Sequence, residues 1–293
     1  MTPRADVLDF YRKNGAMADP GACAGLFDAL PQDVAGLAHV VPGLLLHQHV
    51  GPTYGAPISP ARQQEAHIRS LEAMLQAIVA RNPAPLAVER PLDARLVGVC
   101  RHFSLMLVAM LRAKGISARA RCGFGSYFER GKFVDHWVAE YWNTKESRWI
   151  IVDAQMDAHQ TKLFRLDFDP LDVPRDRFIV AGDAWVQCRE GKADPEAFGI
   201  LHMHGLWFVG GNVARDFASL NGVEVLPWDC WAATPGVAVA LDAKQLAFYD
   251  GLAALMRDTD AHFDALRARY SDGQLGVPPV VFNAVTMREE RFA

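Results

Sequence analysis

Three residues near the middle of the chain have the types and the order of a thiol acyl-transfer site: Cys100 after Gly98-Val99, His136 within Asp135-His136-Trp137, and Asp153 closing Trp149-Ile150-Ile151-Val152-Asp153. A thiol attacks a carbonyl as its thiolate, an imidazole takes up and returns the proton, and a carboxylate holds that imidazole in one tautomer. A lone cysteine in an apolar stretch is ordinarily a small inert hydrophobe. The weight therefore rests on the three residues together and on the elements that must bring them into contact.

Cys100 opens a helix. Phe103, Leu107, Met110 and Leu111 recur at helical spacing, Leu105, Met106 and Val108 fill the other faces, and Gly115 supplies a stop after Lys114. Such a helix is buried on most sides, and its first N–H groups, with a nearby imidazolium, favour the thiolate. Lys132 to Trp142 alternates as a strand, with Phe133, Trp137, Ala139 and Tyr141 on one face and Val134, His136, Val138 and Glu140 on the other. Arg148 to Ala154 reads as its partner. With Asn143-Thr144-Lys145-Glu146 as the hairpin loop, Trp142 lies opposite Ser147 and His136 opposite Asp153, side chains on one face.

The stretch from Leu96 to Gln155 resembles the core of the transglutaminase-like superfamily of papain-like thiol enzymes. It carries the Gly-x-Cys helix start, the run Leu111-Arg112-Ala113-Lys114-Gly115-Ile116-Ser117-Ala118-Arg119, the His136-Trp137 strand, and the strand from Trp149 to Asp153. The resemblance implies an α+β fold with the nucleophile helix packed on an antiparallel sheet, and catalysis at an amide or other acyl carbonyl by Cys100, His136 and Asp153. The implied oxyanion hole combines the Cys100 backbone N–H with an upstream side chain, for which Gln48, Gln63 and Gln64 are the candidates. No cofactor or metal is expected. Arylamine acetyltransferases share the Cys-His-Asp order, but Leu96-Val97-Gly98-Val99-Cys100 departs from their Arg-Gly-Gly-x-Cys turn. The reading is hydrolysis of a peptide or other amide bond, with acyl transfer to an amine, or silent peptide binding, as alternatives.

Other polar residues are weaker candidates. His102 turns to the opposite side of the helix from Cys100 and reads as a core or supporting histidine. His202 and His204 alternate as on a strand, both rings on one face, without a third ligand at metal spacing. Cys23, Cys122, Cys188 and Cys230 lack Cys-x-x-Cys spacing and read as free thiols.

With 51% hydrophobic and 22% charged residues in 293, the composition is that of an ordinary globular protein. A net charge of −4 and no Lys/Arg-rich run argue against nucleic acid or an anionic membrane as partner; the resemblance implies a peptide or small-molecule amide. The start Met1-Thr2-Pro3-Arg4-Ala5-Asp6 has no secretory pattern, and the cytoplasm is the expected location. The catalytic core with its N-terminal elaboration is assigned to residues 1–160 and a mainly helical extension, packed on the core, to 161–293. Within the core, Pro31 to Pro60 reads as loop-rich, and Ser59-Pro60 starts an amphipathic helix running through Ile68 and Leu75 to Asn82-Pro83. In the extension, Lys162 to Arg177 reads as a surface loop and Gln245–Met256 and Thr259–Tyr270 as helices. The aromatic run Leu226-Pro227-Trp228-Asp229-Cys230-Trp231 reads as core.

Overall fold

The computed structural model describes residues 2–273 and 275–292. Its central strand, Phe133–Asn143, pairs antiparallel with Ala118–Gly125 on one side and with Arg148–Val152 on the other. The alternation read from the sequence sets its two faces. Ala118, Ala120, Cys122 and Phe124 join Trp137 and Ala139 in one apolar core with the helix Cys100–Ala113. Every residue of that helix from Leu105 to Leu111 is 0% exposed, so it has no wet face. Each buried Leu or Met there contributes about 1.5–3 kcal/mol.

Both ends of the Cys100 helix are fixed locally. Val99 is extended, and its N–H donates to Nδ1 of the buried His102 at 3.2 Å, while His102 Nε2 lies 3.0 Å from the Ile68 carbonyl. Burial, then the charge of Arg101, pushes the His102 pKa down to about 3, so the ring is a neutral structural strut. At the other end Gly115 takes a left-handed φ of 74° and its N–H donates to the Arg112 carbonyl, the position for which glycine is suited.

Two segments differ from the sequence reading. Pro31 to Pro60 holds a helix, Val34–Leu44, capped by Asp33, whose side chain accepts the Gly36 N–H. Pro42 sits near its C-terminal end, where a missing N–H and a tilted ring disturb only the last turn. The helix expected after Ser59-Pro60 is broken: Pro60–Gln63 passes into a 3-10 turn, Ile68 is extended, and Ser70 caps a second helix, Leu71–Arg81. Apolar spacing runs through this break, but the Ser70 hydroxyl accepts the Ala73 N–H and restarts the helix.

The chain beyond residue 160 covers this core and also adds to its sheet. Phe178–Val180 pairs with Ala118–Gly125, and Phe198–Ile200 runs parallel to the start of the central strand. Ala181–Arg189, Leu206–Leu220 and Ala243–Met256 are helices packed together, the middle one buried from Phe208 to Leu220. Asp216 on that helix receives two hydrogen bonds from Arg121 and one from the Cys122 N–H. Arg121 also shares the buried Glu140 with Arg119 and Arg175. Among the described residues no helix is long and apolar enough to cross a membrane.

Candidate active site

Cys100 enters the site from the first turn of its helix, His136 from the central strand, and Asp153 from the end of the neighbouring strand. The register differs by two residues from the expected one. The last pair of the hairpin is Asn143 with Arg148, and Ala139 pairs with Val152, so His136 does not stand opposite Asp153. The loop is Thr144–Ser147, closed by Ser147 with φ of 50°. A shift of two keeps every side chain on its original face, and the carboxylate still reaches the imidazole across the diagonal. His136 Nε2 lies 2.9 Å from Asp153 Oδ2.

Asp153 is itself held. Its Oδ2 also accepts the Tyr127 hydroxyl at 2.7 Å, and its Oδ1 accepts the Gln155 N–H at 3.1 Å. With Nε2 occupied by the carboxylate, the other ring nitrogen of His136 remains, and Cys100 is among the groups that favour the charged ring. Burial opposes an imidazolium here, but the charge and hydrogen bond of Asp153, with a smaller contribution from Cys100, outweigh it and raise the His136 pKa to about 10. Phe128 stacks edge-on to the imidazole at 4.8 Å between centroids, and Tyr127 and Phe178 stand beyond it.

Cys100 and His136 open on a cavity of about 790 Å³, with Asp153 behind the ring and off its wall. Gln48, Gln63 and Gln64 all line it. Gln48 is tied most directly to the segment leading into Cys100: Leu45–His47 pairs parallel with Leu96–Gly98, and the Gln48 N–H donates to the Gly98 carbonyl at 2.9 Å. His47, Tyr127, Phe128, Asp135 and Arg215 were not singled out from the sequence, although His47-Gln48-His49 follows an apolar run directly. Burial, then the neighbouring His49, His136 and His102, pushes His47 well below the usual histidine range.

The extension forms much of the opposite wall. His204 lines the cavity and pairs with Glu196 at 2.5 Å, but the strand is only Met203–His204 and His202 lies in the turn before it. The two rings are therefore not neighbours on one strand face, because Leu201 takes a φ of 54° and turns the chain. The aromatic run divides: Leu226 and Trp231 are buried as expected of core, whereas Pro227, Trp228 and Cys230 face the cavity. The other four cysteines are free like Cys100; burial, then Asp135, pushes the Cys122 thiol well up, and burial, then Asp194, raises Cys188 to about 11.

Residues 55–154 match the model of the transglutaminase-like superfamily, and the chain carries a transglutaminase-like domain over that segment. A solved structure of a "putative cysteine protease" from Cytophaga hutchinsonii aligns with a TM-score of 0.36 and 16% identity, over 60% of this chain and 46% of that one. This chain thus spans less than half the length of that protein. No curated protein matches the sequence.

Proposed function

We propose that this protein hydrolyses an amide bond, a peptide bond or another, through Cys100, His136 and Asp153. The observation that carries the reading is the His136 ring, bonded to Asp153 through Nε2 and lining, together with Cys100, the wall of a cavity large enough for a substrate. Cys100 Sγ forms a bond to the carbonyl carbon, and the charge that develops on oxygen meets the Cys100 backbone N–H and the Gln48 amide. His136 gives its proton to the departing nitrogen, the C–N bond breaks, and an acyl thioester remains on Cys100. Water entering the cavity then gives a proton to His136 and its oxygen to the acyl carbon, which releases the acid and restores the thiolate. Asp153 holds the imidazole throughout and stabilises its charged form without becoming protonated.

Mass spectrometry of the intact protein with a panel of acyl and peptide amides tests this. An adduct is expected on Cys100, with release of free acid, and Cys100→Ala should give neither while unfolding within a few degrees of the parent. Mild alkylation should modify Cys100 well before Cys23, Cys122, Cys188 and Cys230. Product formation by Cys100→Ala, or uniform slow labelling of the five thiols, would overturn the mechanism.

A further inference from the structure

The cavity wall holds two buried charges of opposite sign that the acyl chemistry does not use. Arg215, on the helix Leu206–Leu220, and Asp135, beside His136 on the central strand, are each 8% exposed, and both line the cavity. Among the described residues neither forms an ion pair. Asp216, next to Arg215 in the chain, is taken by Arg121; the Asp229 carboxylate is taken by Arg69 and offers Arg215 only its backbone carbonyl, at 3.4 Å. The Arg215 Nε is buried without any partner.

What separates the two charges is the amide of Asn212. Its Nδ2 donates to Asp135 Oδ1 at 2.7 Å, and its Oδ1 accepts from Arg215 Nη1 at 3.2 Å. The amide thus shows an acceptor to the guanidinium and a donor to the carboxylate, while each charge keeps further hydrogen-bonding capacity. Leaving two unpaired charges this far from water is costly, and a carboxylate without a cation partner feels it: burial raises the Asp135 pKa despite the attraction of Arg215. The helix is also shaped for this guanidinium. A Cβ on Gly211 would stand 2.8 Å from Arg215 Nη1, so a glycine in the helix interior, ordinarily unfavourable, leaves room for the side chain to fold back.

We propose that Asp135 and Arg215 form a subsite for a free α-amino acid group, Asp135 taking its ammonium and Arg215 its carboxylate. This rests on the reading of the cavity as the site of acyl transfer, and it narrows the substrate. A residue with both α-groups free joins the rest of a substrate only through its side chain. The bond presented to Cys100 is then a side-chain amide rather than a main-chain peptide bond. A bidentate guanidinium suits the planar carboxylate, and the short Asp135 side chain suits a compact cation.

Binding to the Cys100→Ala protein separates this proposal from the hydrolysis itself, since no turnover is needed. Calorimetric titration with norleucine, each enantiomer in turn, is compared with hexylamine and hexanoate, which each lack one of the two charges. At least one enantiomer is expected to bind at least tenfold more tightly than either single-charge compound. Arg215→Met and Asp135→Asn should each weaken norleucine at least tenfold. Gly211→Ala, which displaces the guanidinium and keeps its charge, should weaken norleucine and hexanoate but leave hexylamine unchanged; it also serves if Arg215→Met fails to fold. Absence of norleucine binding up to about 10 mM, the weak end of specific recognition, or equal binding by parent and Gly211→Ala, would overturn the subsite. A Cys100 adduct without norleucine binding would leave the hydrolysis standing and remove only the amino acid subsite.

Discussion

The Tyr127 hydroxyl and the His136 imidazole converge on a single oxygen, Oδ2 of Asp153, at 2.7 and 2.9 Å. The carboxylate is thereby held by two donors on one oxygen, and the imidazole is held at Nε2. Removing the hydroxyl and removing the carboxylate should therefore have very different costs.

Asp153→Asn should preserve the fold and most substrate binding but lower turnover by about 10²–10⁴-fold, because the imidazole loses its orienting charge. Tyr127→Phe, which leaves the Gln155 N–H on the carboxylate, should lower it by less than about tenfold. Asp157 is the control: it caps Ala158–Leu163 through the Gln160 N–H and accepts the Tyr54 hydroxyl, so Asp157→Asn should turn over like the parent. Steady-state kinetics on the three variants checks the order, and a costly Asp157 with a tolerant Asp153 would reassign the third residue.

The pH dependence follows from the same pair. The His136 pKa rises from 6.5 toward about 10, so the stability drawn from its ion pair is fully present below pH 6.5 and is lost as pH climbs through about 10. Activity should hold its alkaline limb near pH 10 and lose it at lower pH in Asp153→Asn. Urea midpoints measured across this range should converge for parent and variant at the alkaline end. A parent rate that stays flat through pH 11 would contradict acid–base use of His136.

Of the three cavity glutamines that precede Cys100 in the chain, Gln48 is the one hydrogen-bonded through its backbone to the strand leading into Cys100. Gln48→Ala should reduce kcat by about 10²–10³-fold with little change in KM, as for loss of an oxyanion donor. Gln63→Ala and Gln64→Ala should act mainly on KM. Equal kcat losses in all three would remove Gln48 from this role.

Away from the site, Glu140 is 0% exposed and bound by Arg119, Arg121 and Arg175. Burial disfavours its charge, but Arg119, Arg175 and Arg121 together hold it well below the usual carboxylate range. Its stabilisation is therefore present above pH 4.5 and is lost as pH falls through that depressed value. Glu140→Gln should cost about 3–5 kcal/mol by removing the charge that Arg119 and Arg121 share, which leaves these buried guanidinium groups only Asp260 and Asp216, seen in denaturant unfolding, while the folded fraction keeps its kcat.

The local parts of this architecture were legible because each is written in a few consecutive residues. The Cys100 helix announces its start, its apolar faces and its Gly115 stop, and the alternation around His136 assigns the two strand faces. The hairpin register was not legible, since Ser147 adopts a left-handed φ without being Gly or Asn, the residues that normally mark it. The helix Val34–Leu44 was hidden by Gly36, Pro42 and Gly43, all read as breakers. Asp135 and Asn212 stand 77 positions apart in sequence, and no periodicity relates them. Their meeting belongs to the packing of the extension against the sheet.

Arg215 and Asp216 are consecutive on one buried helix, yet one lines the cavity and the other is locked to Arg121 and the Cys122 backbone. That lock acts as the fixed end of a measuring rule. It sets how far the guanidinium stands from the thiol, and hence the length of side chain whose amide would reach Cys100 when its α-carboxylate is held. Substrates would then be sorted by reach: a chain one methylene too short or too long seats its charged head correctly and still misses the sulfur.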